Sequence, residues 1–79
     1  MSELSEFEEM YLKRIFESHL DEPGEIVRTT KLAELMDVSP ASTTEMIQRL
    51  AGRDYVTYIP YKGCRLTSEG FTHASRIKR

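Results

Sequence analysis

The chain has 79 residues, of which 39% are hydrophobic and 30% are charged, so we expect one small domain. A chain of this length buries about 60% of the surface that it exposes when unfolded, which argues against a large enzyme core with a deep pocket. No apolar run is long enough to cross a membrane, and the acidic start, Met1–Glu6, is not typical of a signal peptide. The single cysteine, Cys64, excludes an internal disulfide. These features predict a cytoplasmic protein.

The net charge of −2 conceals an uneven distribution along the chain. Residues 1–27 contain eight acidic and two basic residues, whereas residues 28–79 contain nine basic and five acidic ones. The first segment therefore carries a net charge of −6 and the second a net charge of +4. This division is compatible with a polyanion that docks on one face of the domain.

A capping motif and helical spacing predict the first helix. The Ser5 hydroxyl can accept a hydrogen bond from a backbone N–H, while the Glu8 side chain reaches back to Ser5. Apolar residues then recur at helical spacing, which predicts a helix from about Glu6 to Leu20. Pro and Gly in the segment Asp21–Gly24 end this helix. One stripe contains Phe7, Tyr11, Ile15 and His19, and a second stripe beside it contains Leu12, Phe16 and Leu20.

A strand-like step and a second helix follow. The segment Glu25–Arg28 is short and β-branched in its middle, which favours an extended conformation. Thr29 or Thr30 can then cap the second helix, which we expect to end near Asp37. The apolar residues of this helix are Leu32, Ala33, Leu35 and Met36.

The third helix is predicted to begin after Ser39, because serine is a favourable N-cap and Pro40 suits the first helical position. It runs to about Arg53, and its predicted buried side contains Met46, Ile47 and Leu50. The gap between the second and third helices is only about three residues long, which is typical of a helix-turn-helix corner. We place this motif at about residues 30–53.

After residue 54 the apolar pattern changes from helical to alternating spacing. Tyr55–Ile59 reads as a strand, Pro60–Gly63 as a turn and Cys64–Thr67 as the returning strand, which together predict a two-stranded hairpin over about residues 55–67. In the first strand we expect Val56 on one face and Tyr55, Thr57 and Ile59 on the other. Such a hairpin must pack on helices to be stable. A last helix follows, with Phe71, Ala74 and Ile77 predicted to point inward.

The order of these elements predicts a mostly α domain with a small β-hairpin, which is the winged helix-turn-helix arrangement, over residues 1–79. No residue set is typical of a catalytic site. His19 and His73 lie in different predicted helices without a Cys, Ser or Asp at useful spacing, and we expect both to be partly exposed. Cys64 lies within a strand and is expected to be a small buried hydrophobe. An enzyme is therefore not expected.

The outward face of the third helix is a candidate for reading DNA. A recognition helix needs short and medium polar side chains on its first turns, because these turns enter the major groove. Glutamine can pair with adenine, glutamate can accept from cytosine, and serine or threonine can meet a base or a thymine methyl. The candidates are Ser42, Thr44, Glu45, Gln48 and Arg49. The alternative is a solvated helix face.

Two further groups of residues are candidates for phosphate binding. Tyr61 and Lys62 lie at the predicted hairpin tip, with Arg65 just inside it, and a wing of this kind can hold phosphates or enter the minor groove. Arg28, Thr30 and Lys31 lie at the start of the second helix, where free backbone N–H groups attract a phosphate. A solvated tip and an ordinary helix start are the alternatives.

Several segments, in the right order, resemble the diphtheria toxin repressor family of metal-dependent transcriptional regulators. They are similar to the family's first-helix signature, its helix-turn-helix, its wing and the Leu-Thr-x-x-Gly start of its next helix. The resemblance extends over nearly all 79 residues. The matching segments are Glu9–Glu17, Leu32–Glu34, Val38–Thr44, Met46–Leu50, Tyr61–Gly63 and Leu66–Gly70.

This resemblance implies a cytoplasmic homodimer that binds a palindromic operator in double-stranded DNA when Fe(II) or Mn(II) is plentiful. Its targets would be metal-uptake genes, which it would repress. The family's DNA-contacting positions fall here on Ser39, Pro40, Ala41, Ser42, Thr44 and Glu45.

The metal position of the family's first helix falls on Met10. Iron-type members carry Met there, whereas manganese-type members carry Asp, with a Glu one turn later where this chain has Lys13. Most metal ligands of the family lie in a dimerisation domain that begins just past the position of Arg79. The chain is therefore expected to be the DNA-binding portion of a longer protein or a short stand-alone relative. A lone thioether is a weak ligand for a hard divalent ion, and packing on the helix face is the alternative role of Met10.

The sequence thus predicts a sequence-specific DNA-binding regulator, a metal-dependent repressor of metal-uptake genes or its DNA-binding portion. The main alternative is a winged-helix module that binds only proteins, with the acidic first helix as its surface. A metal-sensing module that works without DNA is a further alternative.

Overall fold

The computed structural model describes residues 4–77, except for the side chain of residue 77. Within this range, four helices and three short strands follow one another in the predicted order. The elements are α1 (Glu6–Asp21), β1 (Val27–Arg28), α2 (Thr29–Met36), α3 (Pro40–Gly52), β2 (Val56–Ile59), β3 (Gly63–Leu66) and α4 (Ser68–Ile77).

The predicted cap of α1 is confirmed. The backbone N–H of Glu8 donates to Ser5 Oγ at 3.1 Å, and the backbone N–H of Ser5 donates to Glu8 Oε1 at 2.8 Å. This bond from Ser5 lowers the pKa of Glu8 despite its burial, and the positive charges of Arg53 and Arg49 act in the same direction. The start of α1 therefore lies near the last turns of α3.

The strands form a three-stranded antiparallel sheet in the order β1-β3-β2, so the predicted hairpin is only part of the sheet. β3 is the central strand, with Val27 opposite Cys64 and Arg28 opposite Gly63. The two-residue strand β1 adds a third strand to the predicted hairpin, because its backbone groups pair with those of β3. The extended segment that the sequence predicted before α2 is therefore a strand. Tyr55, predicted within the first strand of the hairpin, lies just before β2.

The core lies between α1, α3 and the sheet. Tyr11, Leu12 and Ile15 of α1 are fully buried, as are Ile47 and Leu50 of α3. The predicted buried side of α3 is confirmed. Cys64 is fully buried as well, and burial raises the pKa of its thiol to about 12. The remaining buried hydrophobic residues are Leu4, Phe16, Val27, Leu32, Ala33, Met46, Val56 and Ala74.

Several large apolar residues of the helices are partly exposed. Phe71, expected to point inward from α4, is 41% exposed and contacts the edge of the Phe16 ring, with ring centroids 5.2 Å apart. Phe7 and Leu20 lie near the ends of α1 and flank its buried stripe, so each is about half exposed. Leu35 of α2 is similarly exposed. The predicted inward position of Ile77 concerns a side chain outside the described part of the chain.

Candidate nucleic-acid interface

A three-residue corner joins α2 to α3, as the sequence predicted. Asp37 adopts a left-handed conformation (φ 57°, ψ 47°), which reverses the chain direction. The backbone N–H of Val38 donates to the Ala33 carbonyl at 3.0 Å, a bond typical of helices that end in this way. The partly buried Val38 then packs against the core. These contacts set the direction in which α3 leaves the corner.

Ser39 caps α3. Its Oγ accepts a hydrogen bond from the backbone N–H of Ser42 at 3.1 Å and lies 3.1 Å from Ser42 Oγ. Pro40 occupies the first turn, as predicted. The two hydroxyls therefore bond to each other while both residues stay exposed to solvent. Ser39 serves first as a cap, and the Ser42 hydroxyl can still donate one hydrogen bond and accept another.

Replacement of Ser39 by alanine is expected to destabilise the domain by about 1 kcal/mol, because the first turn of α3 loses its side-chain acceptor. Urea unfolding followed by circular dichroism measures this loss. Ser42→Ala is the matched control, since it removes an exposed hydroxyl and leaves the cap in place. Equal stability of the two variants would contradict the capping role.

The surface of α3 divides into a buried and an exposed face. Ser42, Glu45, Gln48 and Arg49 are exposed, whereas Thr44 is half-buried at the edge between the two faces. The predicted outward face is therefore exposed except for Thr44. Exposed residues earlier in the helix and at its cap are Ser39, Pro40 and Ala41.

Sequence reasoning missed Thr43, which is fully buried among the apolar residues of α3. Its hydroxyl donates to the carbonyl of its cap residue, Ser39, at 3.1 Å. A threonine that bonds back to the preceding turn has no orphaned polar group, and it can therefore enter a core. Thr43 lies three residues before Met46, and this helical spacing places both side chains on the same face. That spacing is the one signal that could have identified Thr43 as buried.

The wing tip is a tight turn between β2 and β3. The backbone N–H of Lys62 donates to the Ile59 carbonyl at 3.0 Å, so Pro60 and Tyr61 occupy the two central positions. Tyr61 has φ 66° and its side chain is fully exposed. A positive φ is rare for a bulky residue and marks a position that the surrounding structure holds in place.

The wing is joined to the start of α2. The backbone N–H of Thr29 donates to the Lys62 carbonyl at 3.0 Å. The predicted threonine cap of α2 is wrong: Arg28 is the N-cap and its side chain makes no capping bond. The Lys62 carbonyl in the wing turn already supplies an acceptor for the first helical N–H. This contact also brings two predicted phosphate-binding groups together.

The predicted cationic contacts lie on exposed positions of these neighbouring elements. Thr30 on α2 is exposed too. Within residues 4–77, none of the cations forms a salt bridge with a described residue. The charges on α2 and the wing are therefore available to an anionic partner, whereas Arg49 lies on α3 and its charge also acts on Glu8. The cations are Arg28, Lys31, Arg49, Lys62 and Arg65.

The described residues do not by themselves fit a divalent metal ion. Met10 is 49% exposed on α1, and the side chain one turn later is the cationic Lys13. In residues 4–77 there is no group of three or more His, Cys, Asp or Glu side chains that could hold a metal. A single exposed thioether is too weak a ligand for Fe(II) or Mn(II). In the same range, no helix is long and apolar enough to span a membrane.

Comparison with known proteins identifies relatives of this arrangement. Residues 3–64 match the family model described as the iron-dependent repressor, N-terminal DNA-binding domain. An uncharacterised HTH-type transcriptional regulator of Methanocaldococcus jannaschii is 36% identical over 74 residues, which cover 94% of this chain and 58% of the relative. The HTH-type transcriptional regulator MntR of Shouchella clausii is 40% identical over 69 residues, or 87% of this chain and 47% of the relative.

The fold also resembles a solved structure. The crystal structure of RV1404 from Mycobacterium tuberculosis superimposes with a TM-score of 0.64 at 22% identity, covering 96% of this chain and 56% of that one. This likeness supports the predicted winged-helix fold. The chain spans about half the length of the curated relatives it matches. Because the family model covers most of the chain, this chain belongs to the family of iron-dependent repressor N-terminal DNA-binding domains.

Proposed function

We propose that the exposed face of α3 reads base edges in the major groove as part of a metal-dependent transcriptional regulator. The observation that carries this proposal is that this exposed face follows a helix-turn-helix corner and includes Arg49, which has no salt bridge to another residue within 4–77. Helices α1 and α4 form the scaffold behind it. The function is one of binding, and no catalytic step is assigned to any residue.

The exposed side chains of α3 would contact different bases and phosphates. Gln48 has the donor and acceptor pair that matches adenine, and Glu45 can accept from the amino group of cytosine. Ser42 has a hydroxyl for a base or phosphate, while Ala41 and Thr44 offer methyl groups for thymine. Ser39 and Pro40 set the approach of the first turn. Arg49, farther along the helix, would reach a phosphate.

The phosphate contacts would come from α2 and the wing. The backbone bond between Thr29 and Lys62 makes these two elements one surface, so the cations of both can bind the backbone of the same groove. These contacts hold the protein in register on the duplex but carry no sequence information. The proposed contact residues are Arg28, Thr30, Lys31, Tyr61, Lys62 and Arg65.

Full regulation would need more than one copy of this domain. One winged helix covers one half-site, and a palindromic operator is matched by a homodimer with two-fold symmetry. We propose such a dimer for the complete regulator, controlled by Fe(II) or Mn(II) and acting on metal-uptake genes in the cytoplasm. The MntR relatives and the family description support metal control. Ligands for the metal would have to come largely from outside the described residues, with Met10 contributing at most one.

The proposal is tested by fluorescence anisotropy with duplexes selected from a random library and with unselected duplex. Affinity is expected to fall steeply as salt rises, because phosphate contacts release counterions. Lys62→Ala should weaken binding to all duplexes alike and reduce the salt slope by about one. Gln48→Ala should cost about 1–3 kcal/mol on selected duplex and little on unselected duplex.

The two variants act as controls for each other, since both positions are exposed and neither should alter folding. If both variants bind every duplex as wild type does, the assigned faces are wrong. Salt-independent binding to a protein partner, without duplex binding, would favour the alternative of a protein-interaction module.

A further inference from the structure

Two carboxylates lie at the base of the turn between α1 and β1. The backbone N–H of Glu25 donates to the Glu22 carbonyl at 3.1 Å, which closes a four-residue turn. Pro23 and Gly24 occupy its central positions, and Gly24 has φ 84°, a conformation that glycine adopts without strain. The closed turn keeps the Cα atoms of Glu22 and Glu25 within about 7 Å of each other.

This acidic turn borders the start of α2. Glu22 and Glu25 share a small cleft of about 70 Å³ with Arg28 and Lys31, two of the proposed phosphate contacts. All four residues are exposed, and within residues 4–77 no salt bridge joins the acids to the cations. Two acidic side chains therefore line the same cleft as the cations of the proposed phosphate site.

We propose that Glu22 and Glu25 weaken the binding of DNA phosphates at the start of α2 and so limit non-specific affinity. This inference rests on the proposed function. A phosphate held by Arg28 or Lys31 would lie at the cleft that both carboxylates also line, and like charges repel. Since phosphate contacts supply essentially all of non-specific binding, such repulsion lowers affinity for any duplex.

The double variant Glu22→Gln with Glu25→Gln tests this inference, because it removes both charges and preserves side-chain shape. For a charge at about 8 Å in water, the expected gain in affinity is about twofold for each substitution and about fivefold for the pair at low salt. The probe is an unselected 24-base-pair duplex, with binding measured by fluorescence anisotropy from low salt to about 0.2 M. The gain should shrink as salt rises, because the Debye length falls to about 8 Å at physiological ionic strength.

Glu69→Gln is the matched control. Glu69 is an exposed acid in the first turn of α4, a helix that packs against α1. This substitution changes the net charge by one, as each of the two single substitutions does. Comparing the three single variants shows whether the gain in affinity depends on the position of the charge or on net charge alone. A salt-sensitive gain for Glu22→Gln and Glu25→Gln that exceeds the gain for Glu69→Gln supports the inference.

Equal effects at all three positions, or no gain in the double variant, would overturn the inference while leaving the proposed function intact. A wild-type chain without salt-dependent duplex binding would overturn both. Thermal unfolding of each variant shows whether folding changes, and none is expected at these exposed positions.

Discussion

Replacement of Gly70 by alanine is expected to destabilise the domain by more than about 3 kcal/mol. An added Cβ would overlap the backbone carbonyl oxygen of Tyr55 and lie 2.9 Å from Leu66 Cδ1. The start of α4 cannot move away easily, because Thr67 Oγ1 donates to the Asp54 carbonyl at 2.6 Å and Thr67 N–H donates to Tyr55 at 3.1 Å. The added methyl group would therefore clash with backbone atoms that hydrogen bonds hold in place.

Gly63→Ala is expected to have an effect of similar size. Here the added Cβ would overlap the carbonyl oxygen of Val27, where β1 and β3 approach each other. The backbone at Gly63 also has φ 158°, close to the limit of the region that favours glycine. Because this pairing also positions the wing beside α2, any remaining folded Gly63→Ala protein should bind DNA less well.

Urea unfolding followed by circular dichroism measures both losses, with Gly52→Ala as the matched control. Among the described residues, no atom beyond the adjoining backbone of α3 lies within 4 Å of a Cβ added at Gly52. Alanine is also favoured over glycine in a helix by up to about 1 kcal/mol. Gly52→Ala should therefore be as stable as wild type or slightly more stable. Equal stability of Gly70→Ala and Gly52→Ala would contradict the close approach of α4 to Tyr55. A domain of this size has a total stability of about 4–12 kcal/mol, so either loss is severe.

The second large effect is a loss of stability at alkaline pH that arises from Cys64. Burial raises the pKa of this thiol to about 12 in the folded chain, whereas a thiol in an unfolded chain has a pKa near about 8.5. Below about pH 8.5 the thiol is protonated in both states and contributes no pH dependence. Between the two values the unfolded state loses its proton while the folded state keeps it, so stability falls as pH rises.

The limiting slope of this fall is about 1.4 kcal/mol per pH unit, which gives a loss of about 2–3 kcal/mol at pH 10.5 relative to pH 8. Urea unfolding at several pH values measures the loss. The control is Cys64→Ala, which retains every other titrating group. The difference in stability between wild type and Cys64→Ala should change with pH by the stated amount. Parallel curves for the two proteins would contradict the assignment to the thiol.

Local sequence signals predicted most of the elements because each depends on neighbours within one turn. The capping pair of Ser5 and Glu8 and the Ser39–Pro40 start of α3 act through bonds that span three residues. The three-residue corner before α3 and the alternating pattern of the wing are also local. The exposure of the α3 face followed from its helical periodicity, since the opposite side is apolar.

Contacts between distant segments were not predicted. The bond from Thr29 to Lys62 and the pairing of β1 with β3 join residues more than thirty positions apart, and no local pattern encodes them. For this reason, the local pattern predicted a threonine cap for α2, and it predicted a two-stranded hairpin instead of a three-stranded sheet. Phe71 satisfied the apolar spacing of α4, but in the folded chain its ring contacts Phe16 and stays 41% exposed.

By itself, the sequence determined the order of the helices, the corner before α3 and the polar character of its outer face, because caps, turns and periodicity are properties of short segments. Only the tertiary structure decided which cations share a surface. The wing and the start of α2 are brought together by backbone bonds between segments far apart in the chain. The acidic turn of Glu22 and Glu25 directly precedes β1 and lines the same cleft as Arg28 and Lys31. Electrostatic interactions depend on distance in space, and distance along the chain is a poor measure of it.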